Sequence, residues 1–214
     1  MTKIVNGLNI KIIRVGKLGT NCYIIYNDTK DAIIIDPGAQ FNKISDEIKN
    51  MELNPIAILL THAHFDHIMA VNELVDYYSI PVYAGNNENR LLTDGELNGS
   101  KYYLRRSYMV DKFELLQDRQ HITLGGIDIE IICTPGHTEG CVCYYIEDAG
   151  VLFTGDTLFR ESIGRTDMPT GDEGLIIQSI YKLIELGDDV IAYPGHGEST
   201  TIGYERLNNP YVGI

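Results

Sequence analysis

Four short stretches of the sequence carry residues that bind metal ions and move protons. The densest is HAHFDH, where His62, His64, Asp66 and His67 fall within six consecutive positions. Imidazole nitrogens and carboxylate oxygens are the donors of zinc, iron and manganese sites. Two histidines at i and i+2 in an extended loop can face one ion, and an Asp-His pair opening the next helix can face a second ion close by. A solvated turn with Asp66 as a helix N-cap is the plainer alternative. Three of the chain's six histidines crowd this window, however, and that concentration favours ligation. The other donors stand apart: His137 in TPGHT, Asp156 in TGDT and His196 in YPGHG. Taken singly, each would pass for a surface histidine or a turn aspartate.

What unites them is the element before each one. The apolar run at 56–60 ends in Thr61 before His62, and the run at 126–133 leads through Thr134-Pro135-Gly136 to His137. Residues 151–154 lead through Gly155 to Asp156, and residues 190–193 through Pro194-Gly195 to His196. Each is a short β-rich segment closed by turn residues. Strand ends on one rim of a sheet sandwich converge, so the seven groups are expected to meet. His62, His64 and His137 then give one ion three nitrogens, Asp66, His67 and His196 hold a second, and Asp156 bridges with its two oxygens. Each ion keeps an open position, unlike a structural zinc closed by four protein ligands. Two divalent ions are the expected cofactors, zinc first, with iron or manganese also suited to these donors. His121 lacks this context and stays outside the set.

The remaining pattern supplies the scaffold. Strands at 10–15, 21–26 and 32–35 suggest an antiparallel meander, and Ile44, Ile48 and Met51 have helical spacing. A helix follows HAHFDH to about Tyr78, then a short strand at 81–84. Residues 86–112 are mixed, and the apolar-poor portion at 93–100 suggests a loop or lid. After Ile122 the strands return, interrupted by one helix over 172–186. Each half gives several strands and then a helix, which suits two sheets packed face to face with helices outside. One domain over 1–214 is expected from the length.

Composition narrows the function. Hydrophobic residues are 44% and charged residues 22% of the chain, an ordinary globular balance. A net charge of −13 repels phosphate backbones, so no nucleic-acid partner is expected. The first eleven residues do not have the pattern of a signal peptide, and no apolar run approaches the roughly 18 residues of a membrane span. The expected setting is cytoplasmic, with no membrane contact. Four cysteines without a CxxC pair suggest reduced thiols rather than a disulfide framework.

As THAHFDH, TPGHT, GDT and YPGHG, these residues resemble the metallo-β-lactamase superfamily, and the ligand set is similar to that of its glyoxalase II branch. The likeness runs from GTNCY at 19–23 to Asn209-Pro210. SIGRTDMPTGD at 162–172, together with YPGHGEST, resembles the short, single-domain bacterial glyoxalase II-like (hydroxyacylglutathione hydrolase-like) enzymes. The resemblance implies an α+β fold, a four-layer αββα sandwich. It also implies hydrolysis of a small-molecule thioester such as S-lactoylglutathione by a metal-bridging hydroxide. Asp66 is then catalytic as well as a ligand, orienting that hydroxide and carrying a proton to the leaving group.

Classical members of that branch carry a C-terminal helical domain with basic residues for glutathione. This sequence stops at Ile214, so glutathione is not implied as the carrier. The nearest alternatives are a persulfide dioxygenase with a single iron, and a lactonase. Zinc β-lactamases typically place Cys or another residue where Asp156 stands, and flavodiiron proteins place Glu where His64 stands. A nuclease would need a basic groove, against the charge of −13. A non-enzymatic metal-binding protein would need ions with no open position. Arg165 and Asp167 suggest a salt bridge within their loop rather than substrate ligands. Tyr144 and Tyr145 alternate on a strand, so at most one faces the site.

Overall fold

The computed structural model describes residues 2–212. The expected domain of 1–214 also includes Met1, Gly213 and Ile214, which lie outside the described residues. In chain order the first half contains β1 (Thr2–Val5), β2 (Leu8–Val15), β3 (Thr20–Tyr26), β4 (Asp31–Ile35), α1 (Phe41–Asn50), β5 (Asn54–Leu59), α2 (Phe65–Ile68) and α3 (Val71–Tyr78). It continues with β6 (Val82–Gly85), α4 (Asn89–Thr93), α5 (Ser100–Leu104) and β7 (Glu114–Leu116). Its strands form one sheet in the order β1-β2-β3-β4-β5-β6-β7. Pairing is antiparallel as far as β4 and parallel from β4 to β7.

The second half contains β8 (His121–Leu124), β9 (Ile127–Cys133), β10 (Val142–Ile146), β11 (Val151–Gly155), β12 (Leu158–Phe159), β13 (Ser162–Ile163), α6 (Glu173–Ile184), β14 (Ile191–Pro194), β15 (Thr200–Thr201) and α7 (Ile202–Asn208). Its main sheet has the order β15-β14-β11-β10-β9-β8, and β12 with β13 makes a separate hairpin. Neighbours in the main sheet are antiparallel except β11 and β14, which are parallel.

Strand periodicity explains the layers. In β3, Tyr23 and Ile25 face the second sheet, whereas Cys22 and Ile24 face α1 and α3. In β4, Ile33 and Ile35 share the first face and Ile34 the second. Both faces are covered, so these central strands are apolar throughout rather than alternating. Between the sheets, Ile10, Ile33 and Leu59 pack with Ile129, Ile131 and Phe153. Outside the first sheet lie Ile44 and Ile48 of α1 and Val71 and Leu74 of α3. Outside the second, Cys143, Leu152 and Ala192 pack against Ile180 and Leu183 of α6 and Ile202 of α7. The result is the α+β, four-layer αββα sandwich that the sequence implies.

Direction then places the site. β9, β11 and β14 point the same way, since β9 and β11 each run antiparallel to β10 and β14 runs parallel to β11. Their carboxyl ends deliver the loops that begin at Thr134, Asp156 and Gly195 to one rim. Across that rim the two sheets are tied directly: Val142 N–H donates to the Thr61 carbonyl at 2.9 Å, Asn21 N–H to the Gly195 carbonyl at 2.7 Å, and the Tyr144 hydroxyl to the Leu60 carbonyl at 2.8 Å.

The structure adds detail to the sequence expectation. β1, β7, the β12–β13 hairpin and α7 are additional, each too short to give a clear period. Residues 93–100 span the loop of the expected alternatives, between α4 and α5, and it is anchored: Asn98 is fully buried and its amide donates to the Leu91 and Tyr108 carbonyls at 3.0 and 2.8 Å. Tyr144 and Tyr145 point to opposite faces as their alternation requires, Tyr144 into the inter-sheet core and Tyr145 toward the outer face, so that neither lines the site. Among the described residues no helix is long and apolar enough to cross a membrane.

Candidate metal centre

β5 is buried and its chain leaves it extended. His64 stands at the N-cap of α2 with ψ 144°, so the His62-Ala63-His64 segment is extended while Asp66 and His67 lie in the first helical turn. That corrects the plainer alternative, since Asp66 is not the cap. His62 and His67 are fully buried, and His64, Asp66 and His137 nearly so. The three histidines His62, His64 and His137 form one group of donor atoms within 4.8 Å of each other, and Asp66, His67 and His196 form another. Asp156 lies between them: its Oδ1 is 3.5 Å from His67 Nε2, and its Oδ2 is 3.6 Å from both His137 Nε2 and His196 Nε2. All seven residues singled out in the sequence thus meet in one place. His121 does not, being exposed on β8 beside Asp128.

Hydrogen bonding fixes which nitrogen of each imidazole is free. The Arg165 carbonyl can only accept, so His137 Nδ1–H donates to it at 2.7 Å, and the His137 Nε2 lone pair accepts from His64 Nδ1–H at 2.8 Å, leaving His64 Nε2 free. The Asp36 carboxylate likewise accepts from His67 Nδ1–H at 3.0 Å. Thr61 spends its hydroxyl proton on Asp36 Oδ2 at 2.6 Å, so His62 Nδ1 must be the donor to Thr61 Oγ1 at 3.1 Å. The Nε2 atoms of His62, His64 and His67 and Oδ1 of Asp156 are buried without any partner. Buried polar atoms rarely go unsatisfied. Three buried, unpartnered imidazole nitrogens and an orphan carboxylate oxygen are what a cation would complete, and the cluster fits two divalent ions.

Charge follows the same division. Burial, reinforced by neighbouring imidazoles, holds His62 and His64 well below the usual imidazole range, and burial also lowers His137. These three stay neutral and ligand-competent. Burial opposes charge on His67 as well, but the Asp66, Asp156 and Asp36 carboxylates raise it to about 10. Burial alone would raise Asp66, yet His67, His196 and the Thr20 hydroxyl, which donates to Oδ2 at 2.8 Å, hold it below the ordinary carboxylate range. The second group therefore sits in a negative potential suited to a cation.

The metallo-beta-lactamase superfamily profile matches residues 15–196. The chain belongs to this superfamily. Hydroxyacylglutathione hydrolase GloC of Haemophilus influenzae is 36% identical over 209 residues, which span 96% of this chain and 98% of GloC. Among solved structures, BLEG-1 B3 metallo-beta-lactamase superposes with a TM-score of 0.92 at 43% identity, covering 96% of this chain and all (100%) of BLEG-1. TTHA1623, solved in a di-iron-bound form, superposes with a TM-score of 0.87 at 32% identity, covering 94% of this chain and 100% of TTHA1623. As a member of the metallo-β-lactamase superfamily with hydrolase relatives, the protein is a metallo-hydrolase.

In this superfamily member a cleft of 480 Å³ opens over the centre. His64, Asp66, His137, Asp156 and His196 form its floor, Phe65, Tyr103, Leu104 and Met168 an apolar wall, and Lys17 and Arg165 bring cationic groups to it. Phe65 and Tyr103 stack with ring centroids 5.5 Å apart. Arg165 and Asp167 form the expected salt bridge, with Nε and Nη2 donating to the two carboxylate oxygens at 2.6 and 2.7 Å. Sequence reasoning missed Asp36, Thr20 and the wall residues. Asp36 had a signal: it too follows an apolar strand, β4, and precedes Pro37-Gly38. The wall had none, because a Tyr or Leu in a short helix is most often core.

Proposed function

We propose that this protein is a metal-dependent hydrolase of small acyl thioesters, with S-lactoylglutathione the first compound to test. The observation that carries the proposal is Asp156 set between two groups of three donors, on the floor of a cleft with an apolar wall. His62, His64 and His137 would hold one divalent ion, Asp66, His67 and His196 the other, with Asp156 shared. Zinc is the first expectation for these donors; iron is supported by the di-iron form of TTHA1623. Two such ions acidify a bound water and draw charge from the carbonyl oxygen under attack.

The chain's own groups do the rest. Asp66, fixed by Thr20, accepts a hydrogen bond from the attacking water and orients it. Having taken a proton from that water, Asp66 can carry it to the leaving group. A thiol, with an ordinary pKa of about 8.5, is a leaving group that needs little such help. The wall of Phe65, Tyr103, Leu104 and Met168 excludes water from one side of the substrate. A single domain in the cytoplasm completes the proposal, supported by cross-sheet hydrogen bonds at the rim and by free thiols at all four cysteines.

The likeness to BLEG-1 favours a second reading, β-lactam hydrolysis. One preparation decides between them: metal content is measured, and thioesters, lactones, β-lactams and glutathione persulfide are then screened. Thioester turnover that chelation abolishes and metal restores is expected. A sample with two ions per chain and no thioester turnover rejects the proposal. One iron per chain with oxygen uptake on the persulfide would make the protein a dioxygenase instead.

A further inference from the structure

Glu88 is a fully buried carboxylate in the turn after β6, outside the cleft and its donors. Its partners join two loops from different sheets. Oε1 accepts from the Ala63 N–H at 2.7 Å, between His62 and His64. Oε2 accepts from the Thr138 hydroxyl at 2.9 Å, next to His137. The Gly140 N–H also donates to the carboxylate. The approach is close: a Cβ on Gly140 would run into the Glu88 backbone nitrogen and lie 2.5 Å from Oε2. All these partners are neutral donors, so no cation offsets the burial of the charge, and a neutral side chain would fill the space at lower cost. What the carboxylate adds is acceptors on both sides of one rigid group. An amide there would present N–H to a donor on one side and release one loop.

We propose that Glu88 is a positioning residue for one ion of the pair, clamping the loop of His62 and His64 to the loop of His137 so that these three nitrogens converge. The inference rests on the metallo-hydrolase reading above. It predicts selectivity, because the Glu88 bonds end at Ala63, Thr138 and Gly140 and none is made to α2, which carries Asp66 and His67, or to the loop of His196.

The test is a chelator competition with Zn2+ on the full chain, for wild type, Glu88→Gln and Thr138→Val. His137→Ala and His196→Ala mark which binding step belongs to which ion. Glu205→Gln serves as the structural control. Glu205 is equally buried and accepts from Thr200 Oγ1, Glu161 N–H and Asn209 Nδ2, away from the cleft. Glu88→Gln is expected to weaken by about 10-fold or more the step that His137→Ala abolishes and to leave the other step at wild-type strength. Thr138→Val is expected to weaken the same step less, and Glu205→Gln to lower thermal stability with both steps intact. The inference is overturned if Glu88→Gln leaves both steps unchanged, weakens both equally, or weakens the step that His196→Ala abolishes. If Glu88→Gln does not fold, Thr138→Val decides by the same criteria. Failure of wild type to bind two ions would count against the hydrolase reading itself.

Discussion

Asp36 reaches both halves of the centre, through Thr61 to His62 and directly to His67. It also accepts from the Thr61 N–H at 2.8 Å, so both carboxylate oxygens are engaged by donors. In Asp36→Asn the amide must turn N–H toward at least one of them. Metal affinity and kcat/KM are expected to fall by about 10- to 100-fold with the fold retained; wild-type values in both measurements would rule out this orienting role. Titration gives a second expectation. The neutral, buried His62, His64 and His137 bind fewer protons folded than unfolded once pH drops below the ordinary imidazole value of about 6.5, so stability falls with acidification. His67, raised to about 10, acts oppositely: its contribution is complete below 6.5 and is lost as pH rises toward 10. The chelated protein is therefore expected to be most stable near pH 6.5 in urea unfolding, and bound metal should flatten both limbs. A steady rise in stability from about pH 5 to about pH 9 would contradict these charge states.

Elements act through where they stop. β5, β9, β11 and β14 end at one rim, and the residue types just past each end decide what that rim can do. This much was legible in the sequence, because apolar runs closed by Thr, Pro or Gly mark strand ends and the donors follow them. Close backbone approach was not legible. A Cβ on Gly195 would collide with Asp156 Oδ1 and lie 2.7 Å from His67 Cε1. Gly195→Ala is expected to displace both side chains, reducing metal content and abolishing most activity while circular dichroism stays native. A fully metallated, fully active Gly195→Ala protein would show that the turn has room to give. The segment at 93–100 carries the opposite lesson. Its polar composition suggests a lid, yet the Asn98 amide satisfies two carbonyls and its own carbonyl accepts from the Phe65 N–H at 3.0 Å.

At the scale of the whole molecule, the centre is held up by the core between the sheets. Phe153 is fully buried there, with its ring edge-on to Tyr23 at 5.0 Å and stacked on Tyr193 at 5.6 Å. These side chains sit on β11, β3 and β14, and the Tyr23 hydroxyl donates to the Pro194 carbonyl at 2.5 Å, two residues before His196. Phe153→Ala is expected to cost about 3–5 kcal/mol, lowering Tm by roughly 6–20 °C, and to weaken metal binding as well. A Tm within about 2 °C of wild type would mean the core closes over the loss.

Donor types, their order and the strands before them were fixed by local sequence, since period-2 apolar runs and turn residues act over a few positions. The four-layer arrangement was reached through family resemblance, and the structure bears it out. Two things depended on tertiary structure alone. One is which imidazole nitrogen faces inward, set by acceptors as distant in sequence as Asp36 and Arg165. The other is the apolar wall and the Glu88 clamp, built from residues whose types carry no metal signal and whose partners lie in other loops. The seven donors were recognisable because metal chemistry restricts residue type. Of the groups that aim them only Asp36 carried a signal, its place at a strand end, because a hydrogen bond to a backbone carbonyl or amide leaves no mark on the sequence that supplies it.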